Sequence, residues 1–266
     1  MFLQFITWDV DPVIFNLGPL SIRWYGLLFS GSFLISYIWL TKLFKQEKIN
    51  IKILDGMTTT MIVSTIIGAR LGHCLFYEPE IYLKNPIEIL YIWNGGLASH
   101  GAGIAIFLGI YLYSRKTKIP ILWYFDRIAI FTAFAGIFIR LGNLMNSEIF
   151  GEITSLPWGF YFIRHYDPTL ALDPRHPTQL YEALSYLAIF VFLFRYYKKR
   201  LGKFKNGQLF GYFMILIFGA RFFIEFLKMP QVGFEETMTL NMGQLLSIPF
   251  VLLGIVTIYL INRKKA

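Results

Sequence analysis

Apolar residues gather into about seven runs, at 19–41, 54–76, 97–114, 121–144, 178–197, 208–227 and 242–262. Each is close to the ~20 residues that a helix needs to cross a bilayer. The third is the shortest, and the fourth holds Asp126 and Arg127 near its start. The polar residues between the runs alternate in kind. Lys42, Lys45, Lys48 and Lys52 lie between the first and second, and Arg115, Lys116 and Lys118 between the third and fourth. Lys198, Lys199, Arg200, Lys203 and Lys205 lie between the fifth and sixth, and Arg263, Lys264 and Lys265 follow the seventh. The other connecting segments carry few cations: Lys84, Arg164, Arg175 and Lys228. Cytoplasmic loops collect Lys and Arg. The pattern therefore predicts an all-α integral membrane protein, a bundle of about seven transmembrane helices with its N-terminus outside and its C-terminus cytoplasmic.

Two outer segments break the helical pattern. Residues 77–96 contain Pro79, Pro86 and the turn Asn94-Gly95-Gly96. Residues 145–177 contain Pro157, Pro168, Pro174 and Pro177 beside Trp158, Phe160, Tyr161 and Phe162. Prolines at that density exclude a long helix, so the insertion at about 145–177 is expected to form a small extracytoplasmic cap with short strands.

Composition sharpens this picture. Of 266 residues, 56% are hydrophobic and 15% charged, with a mean hydropathy of +0.53; soluble chains carry about 25% charged residues. The net charge of +9 resides in short runs between apolar segments, so no nucleic-acid partner is expected. No long polar linker divides the chain, and residues 1–266 read as a single polytopic membrane domain. The opening MFLQFITWDVDPVIF lacks a basic n-region and contains Asp9 and Asp11, which argues against a cleavable signal peptide. The single Cys74, in HCLFY, reads as a small buried hydrophobe rather than a nucleophile. His73, His100, His165 and His176 are scattered, without HExxH or CxxC, so no metal and no cofactor is expected.

The chemistry centres on Gly136–Gly151, GIFIRLGNLMNSEIFG. Its apolar opening suits lipid, yet Arg140, Asn143, Asn146 and Glu148 follow within a few turns. An Arg in such a segment costs at least ~2.5–3.5 kcal/mol to insert and is expected to face the bundle interior or a wet cavity. Arg140 and Asn143 share a helix face, while Gly136 and Gly142 permit close approach of a helix or a headgroup. Arg70 and Arg221 stand at similar depth in other outward-running spans. Convergent guanidiniums would cradle a phosphate or carboxylate. The competing reading is a buried polar network that only locks helices together. Arg221, Glu225 and Lys228 lie at spacings of four and three on one face, where an insertable ion pair is again the alternative. His100, in GGLASHGAGIA, could move a proton near neutral pH or merely cap a helix. Tyr25, in SIRWYG, stands at an outer helix end where aromatic belts form. The run RHPTQLYE from Arg175 is dense in polar groups for a membrane surface. A transporter for an anionic lipid or solute, using the same arginines, is the main functional rival; it would need polar residues continuing toward the cytoplasmic side.

In these motifs the chain resembles the prolipoprotein diacylglyceryl transferases of the bacterial inner membrane. DPVIF, WYG at Trp24–Gly26, WNGGLASHG ending at Gly101, IRLGNLMNSEIFG at Ile139–Gly151, RHPTQLYE and ARFFIEFLKMP from Ala220 occur in the family's order. The resemblance implies transfer of the diacylglyceryl group of phosphatidylglycerol to the lipobox cysteine of a preprolipoprotein, releasing glycerol phosphate. It further implies membrane lipids as the surroundings, a signal peptide as partner, and an active site on the extracytoplasmic side. Arg140, Arg221 and His100 match positions important for activity, with Tyr25, Asn143, Asn146, Glu148 and Gly151 around them. His100 is the first candidate for the base and Glu148 the second; Glu225 and Arg70 are expected to bind substrate. Ala102, Lys228 and the pair Ile217-Phe218 depart from the usual pattern.

Overall fold

The computed structural model describes residues 5–18, 20–230, 233, 235 and 238–263, which leaves Lys264 and Lys265 of the last basic cluster outside the described residues. Helices dominate: α1 (Trp24–Gln46), α2 (Ile51–Phe76), α3 (Pro79–Lys84), α4 (Ser99–Thr117), α5 (Ile121–Met145), α6 (Thr178–Arg200), α7 (Gln208–Ile224) and α8 (Met242–Arg263). Among the described residues six of them, rather than the expected seven, are long and apolar enough to cross a membrane: α1, α2, α5, α6, α7 with the 3-10 turn that follows it, and α8. Helix α4 has 19 residues, so length does not set it apart. Its glycines and the terminal Arg115 and Lys116 lower its hydropathy. Helix α1 also begins later than the apolar run suggests, because Leu20–Arg23 (β3) pairs antiparallel with Val13–Leu17 (β2) in a hairpin.

The chain forms two compact units, Met1–Ile38 with Phe125–Ala266, and Trp39–Tyr124. In both, many helix side chains lie bare on the outside, among them Leu34, Ile104, Leu112 and Phe223. Lipid satisfies such faces at no cost, whereas water would make them sticky patches.

In the unit Trp39–Tyr124, small residues bring α2 and α4 together. A methyl group on Gly68 would land on the Gly101 carbonyl and on Ala105, and one on Gly72 would come within 2.8 Å of the Gly101 Cα. Gly68 and Gly72 are four residues apart, the small-xxx-small spacing by which membrane helices reach backbone contact. The start of α4 is fixed by the Ala98 amide, which donates to the Ala69 carbonyl at 2.9 Å. Phe44, Leu54, Met57, Ile110 and Tyr124 fill the core of this unit.

In the other unit, Asp126 and Arg127 have structural partners. The Gly207 amide donates to Asp126 Oδ2 at 2.6 Å and the Phe210 amide to Oδ1 at 2.9 Å. A carboxylate in helix α5 thereby caps the N-terminus of α7, where the first amides lack partners of their own. The Arg127 guanidinium lies 5.5 Å from the Tyr197 ring centre. Replacing Asp126 by Ala is expected to destabilise the fold by on the order of 1–3 kcal/mol, as buried donors lose a charged acceptor; thermal unfolding in detergent checks it.

The insertion after α5 contains one short strand. Phe160–Phe162 (β4) pairs in parallel with Ile6–Trp8 (β1). Phe150, Phe160 and Phe162 pack with Leu144 and with Trp8, Leu170, Leu180 and Met229. The Trp8 indole N–H donates to the Leu144 carbonyl at 2.9 Å, tying the beginning of the chain to the end of α5.

Candidate functional site

Where α5 ends, the backbone turns through Ser147 at φ 54° and Ile149 at φ 60°. The left-handed region is a true outlier for a β-branched residue, and each such residue costs of order 1–3 kcal/mol unless its surroundings fix it. The surroundings do so here. The Glu148 amide donates to the Asn143 carbonyl at 3.0 Å. The Gln179 amide group donates to the Glu148 carbonyl at 2.7 Å and the Thr178 hydroxyl to the Ile149 carbonyl at 3.0 Å. Thr178 and Gln179 open α6, so RHPTQLYE supplies the clamp on the strained turn. Gly151 completes it: its amide donates to the His176 carbonyl at 2.8 Å, and a side chain there would run into the Leu227 carbonyl.

That turn presents a chain of polar side chains. Asn143 receives the Arg140 Nη1 on its Oδ1 at 3.2 Å and donates from Nδ2 to Glu148 Oε1 at 2.8 Å. Asn146 Nδ2 also donates to Glu148 Oε1, at 3.2 Å. This fixes the amide's orientation and turns Asn146 Oδ1 into a buried acceptor with no hydrogen-bond partner among the described residues. Asn146 lines a cavity of about 580 Å³ with Ser21, Ile22, Arg23, Tyr25 and Ser30. Tyr25 sits against α5 because Gly142 has no side chain; a methyl there would be 2.6 Å from the ring. Its hydroxyl is within electrostatic reach of both Glu148 and Arg140.

On the opposite side of Arg140 lies a buried ionic chain. Arg140 Nε is 2.9 Å from Glu182 Oε2, an ion pair between a largely buried cation and a fully buried carboxylate. That contact is one of charge, since Oε2 accepts no aligned hydrogen bond. Glu182 Oε1 accepts from Lys228 Nζ at 3.2 Å and from the Tyr186 hydroxyl at 3.3 Å. Lys228 Nζ continues to Glu225 Oε2 at 3.0 Å, and Arg221 Nε stands 4.0 Å from the same oxygen. Arg140, Lys228 and Arg221 thus meet Glu148, Glu182 and Glu225, three charges of each sign. A fully neutralised cluster is how buried ions persist. The least committed cation is Arg221, 34% exposed and with no hydrogen bond at Nε among the described residues.

The sequence pointed to Arg140, Arg221, Tyr25, Asn143, Asn146, Glu148, Gly151 and Glu225, and all of these lie in the unit that includes the cap. It missed Glu182 and Tyr186, and it left Lys228 outside the site although Lys228 is only 3% exposed on its side chain. The polar density of RHPTQLYE was the available signal for Glu182. His176 in that run is held differently. The Trp158 indole donates to the Tyr181 hydroxyl at 2.9 Å, leaving that hydroxyl's own proton for His176 Nδ1 at 3.1 Å. Burial pushes the His176 imidazole below its usual pKa, consistent with a neutral ring serving as acceptor.

Arg70 and His100 belong to the other unit. Arg70 donates to the Glu88, Ile89 and Gly95 carbonyls at 2.7, 3.0 and 2.6 Å and lies 4.8 Å from the Tyr82 ring centre. Its guanidinium is occupied in shaping the 86–96 loop. His100 is exposed at the first turn of α4, its backbone fixed by the close packing of Gly101 on Gly68 and Gly72. Among the described residues no group of His, Cys, Asp and Glu could hold a metal ion.

Comparison with known proteins adds an independent line. A family model described as "Prolipoprotein diacylglyceryl transferase" matches residues 12–260. The chain is 48% identical over 262 residues to a protein of Tolumonas auensis, covering 98% of this chain and 99% of that one. It is 49% identical over 263 residues to a protein of Porphyromonas gingivalis, covering 94% and 93%. A protein of Chloroherpeton thalassium is 44% identical over 258 residues, covering 96% and 94%. All three are named phosphatidylglycerol--prolipoprotein diacylglyceryl transferase.

Proposed function

The chain belongs to the prolipoprotein diacylglyceryl transferase family, and on that footing we propose that the cluster around Arg140 is where it carries out the family's reaction. It moves the diacylglyceryl group of phosphatidylglycerol onto the lipobox cysteine of a preprolipoprotein, the first step of lipoprotein maturation. The carbon–sulfur bond forms as the carbon–oxygen bond to phosphate breaks; glycerol phosphate leaves with the electron pair, and the thiol proton goes to a base. The nucleophile arrives with the substrate, so the enzyme needs no cysteine of its own, and Cys74 is buried.

The observation that carries this reading is a charge-balanced cluster at the end of a membrane helix, with one cation, Arg221, still available for an anion. Charge develops on the leaving phosphate, and donors fixed in advance are the strongest means of stabilising it. The buried Oδ1 of Asn146 and the cavity beside Tyr25 suit a headgroup rich in hydroxyls. The resemblance makes His100 the first candidate for the base that takes the thiol proton and Glu148 the second. The transporter reading loses its footing, because Asp126 and Arg127, which could have continued a polar path inward, have structural partners.

The protein works in the bacterial inner membrane with the site on its extracytoplasmic side. Single cysteines introduced at 115–118 and at 145–177 in a Cys74→Ala background should react with an impermeant thiol reagent in whole cells only at 145–177. Labelling at 115–118 would reverse the topology. The reaction itself is tested with purified protein, radiolabelled phosphatidylglycerol and a lipobox peptide. Label on the peptide thiol is expected; a folded protein that leaves the peptide unlabelled overturns the function.

A further inference from the structure

We propose that Glu182 is the positioning residue of the site, setting the direction of the Arg140 guanidinium before substrate arrives. This rests on the function proposed above. The side chain of Glu182 is fully buried, and its two oxygens serve different cations. Oε2 faces Arg140 Nε at 2.9 Å; Oε1 takes Lys228 Nζ at 3.2 Å and the Tyr186 hydroxyl at 3.3 Å. Lys228 is itself closed off, 3% exposed and ion-paired with a second carboxylate, Glu225, at 3.0 Å. It has no route to a ligand. Its place is to hold Glu182.

Arg140 is the partner that remains reachable, 15% exposed on its side chain. A guanidinium on a free side chain samples many rotamers, and fixing it costs up to ~2 kcal/mol of entropy. Here Glu182 holds the Nε edge by charge while Asn143 holds Nη1 by a hydrogen bond. With two of three nitrogens fixed, the direction of the remaining fork follows. Placement of that kind matters to rate, since misplacing a group by about 1 Å can lower it 10²-fold. A purely structural demand would not require Glu182, because apolar packing replaces buried ion pairs without loss of stability in many proteins.

Gly136 supports the arrangement from below. A methyl at this position would stand 2.9 Å from Tyr186 Cδ2, so the glycine makes room for the ring whose hydroxyl reaches Glu182. The whole assembly joins α5, α6 and the end of α7, three segments distant in sequence, at one carboxylate.

The test compares Glu182→Gln, Glu182→Asp, Arg140→Lys, Glu182→Gln with Lys228→Met, and Glu182→Gln with Arg140→Lys, by kcat and KM for phosphatidylglycerol and by thermal unfolding. Glu182→Gln keeps shape and removes charge; kcat should fall about 10²-fold with KM changed much less, and Glu182→Asp should recover part of it. Adding Lys228→Met removes the uncompensated lysine and should restore the unfolding temperature while transfer stays low. In the Arg140→Lys background, Glu182→Gln should lower transfer little further, since residues that act as a unit do not add. Two results overturn the proposal: recovery of transfer together with stability in the Lys228→Met double variant, or losses from Arg140→Lys and Glu182→Gln that multiply in full. If wild-type protein fails to transfer at all, the proposed function falls separately. The same Arg140–Glu182 cycle, read as affinity for phosphatidylglycerol micelles, then decides the positioning claim by whether the two effects multiply.

Discussion

Arg140→Lys should yield a folded protein whose transfer rate is at least 10²-fold below wild type. The substitution keeps the positive charge, and the lysine ammonium can still face the Glu182 carboxylate, so the charge balance of the cluster survives. What disappears is shape. Arginine offers a planar fork whose Nε and Nη1 serve Glu182 and Asn143 at once, whereas lysine is a single point charge on a flexible stem. Removing one donor that stabilises developing charge costs about 10²–10³-fold in other enzymes. Thermal unfolding and the labelled-lipid assay, run on the same preparation, separate a site residue from a helix staple. If Arg140 only holds helices together, the loss of activity follows the loss of stability. A variant with full stability and full transfer would remove Arg140 from the chemistry.

His100→Gln should slow transfer by about 10²–10⁴-fold, the usual worth of a positioned general base. The loss should shrink as pH rises. A free thiol has a pKa of about 8.5, so above that pH the substrate cysteine is already thiolate and needs no base. Below it, the wild-type enzyme has an advantage that the variant lacks. The other candidate, Glu148, accepts on Oε1 from Asn143 at 2.8 Å and from Asn146 at 3.2 Å, so it also orients two amides. Turnover measured from about pH 6 to 9, with phosphatidylglycerol affinity determined separately, tests the idea. Parallel pH profiles for variant and wild type would falsify it and leave His100 a role in placing substrate.

The membrane helices were legible in the sequence because a bilayer imposes a length and a hydropathy that few other environments demand. The cap was legible only as a break in that pattern. Pro157, Pro168, Pro174 and Pro177 excluded a helix, but no local rule announced that Phe160–Phe162 would pair with Ile6–Trp8. Strand pairing across such a distance is a tertiary choice. In the site, a charge in an apolar run drew attention to Arg140 and Arg221, since insertion makes isolated charges expensive. Glu182 escaped because it stands at the polar margin of a helix, where a carboxylate is unremarkable; only the packing of α5, α6 and α7 reveals what it touches. Arg70 shows the converse. Its depth matched that of the other arginines, yet its donors go to loop carbonyls, a use that depth cannot foretell.

The tie between Trp8 and the Leu144 carbonyl has a consequence for how the protein is made. The two residues are 136 positions apart, and β1 waits still longer for its partner strand. A ribosome adds about 5–20 residues per second, so Trp8 waits roughly 7–27 s for Leu144 while the helices between them are made. The pairing of β1 with β4 consequently forms only after α1, α2, α4 and α5 have been made. A nascent chain stopped short of Phe160 lacks β4 and leaves β1 without its partner strand.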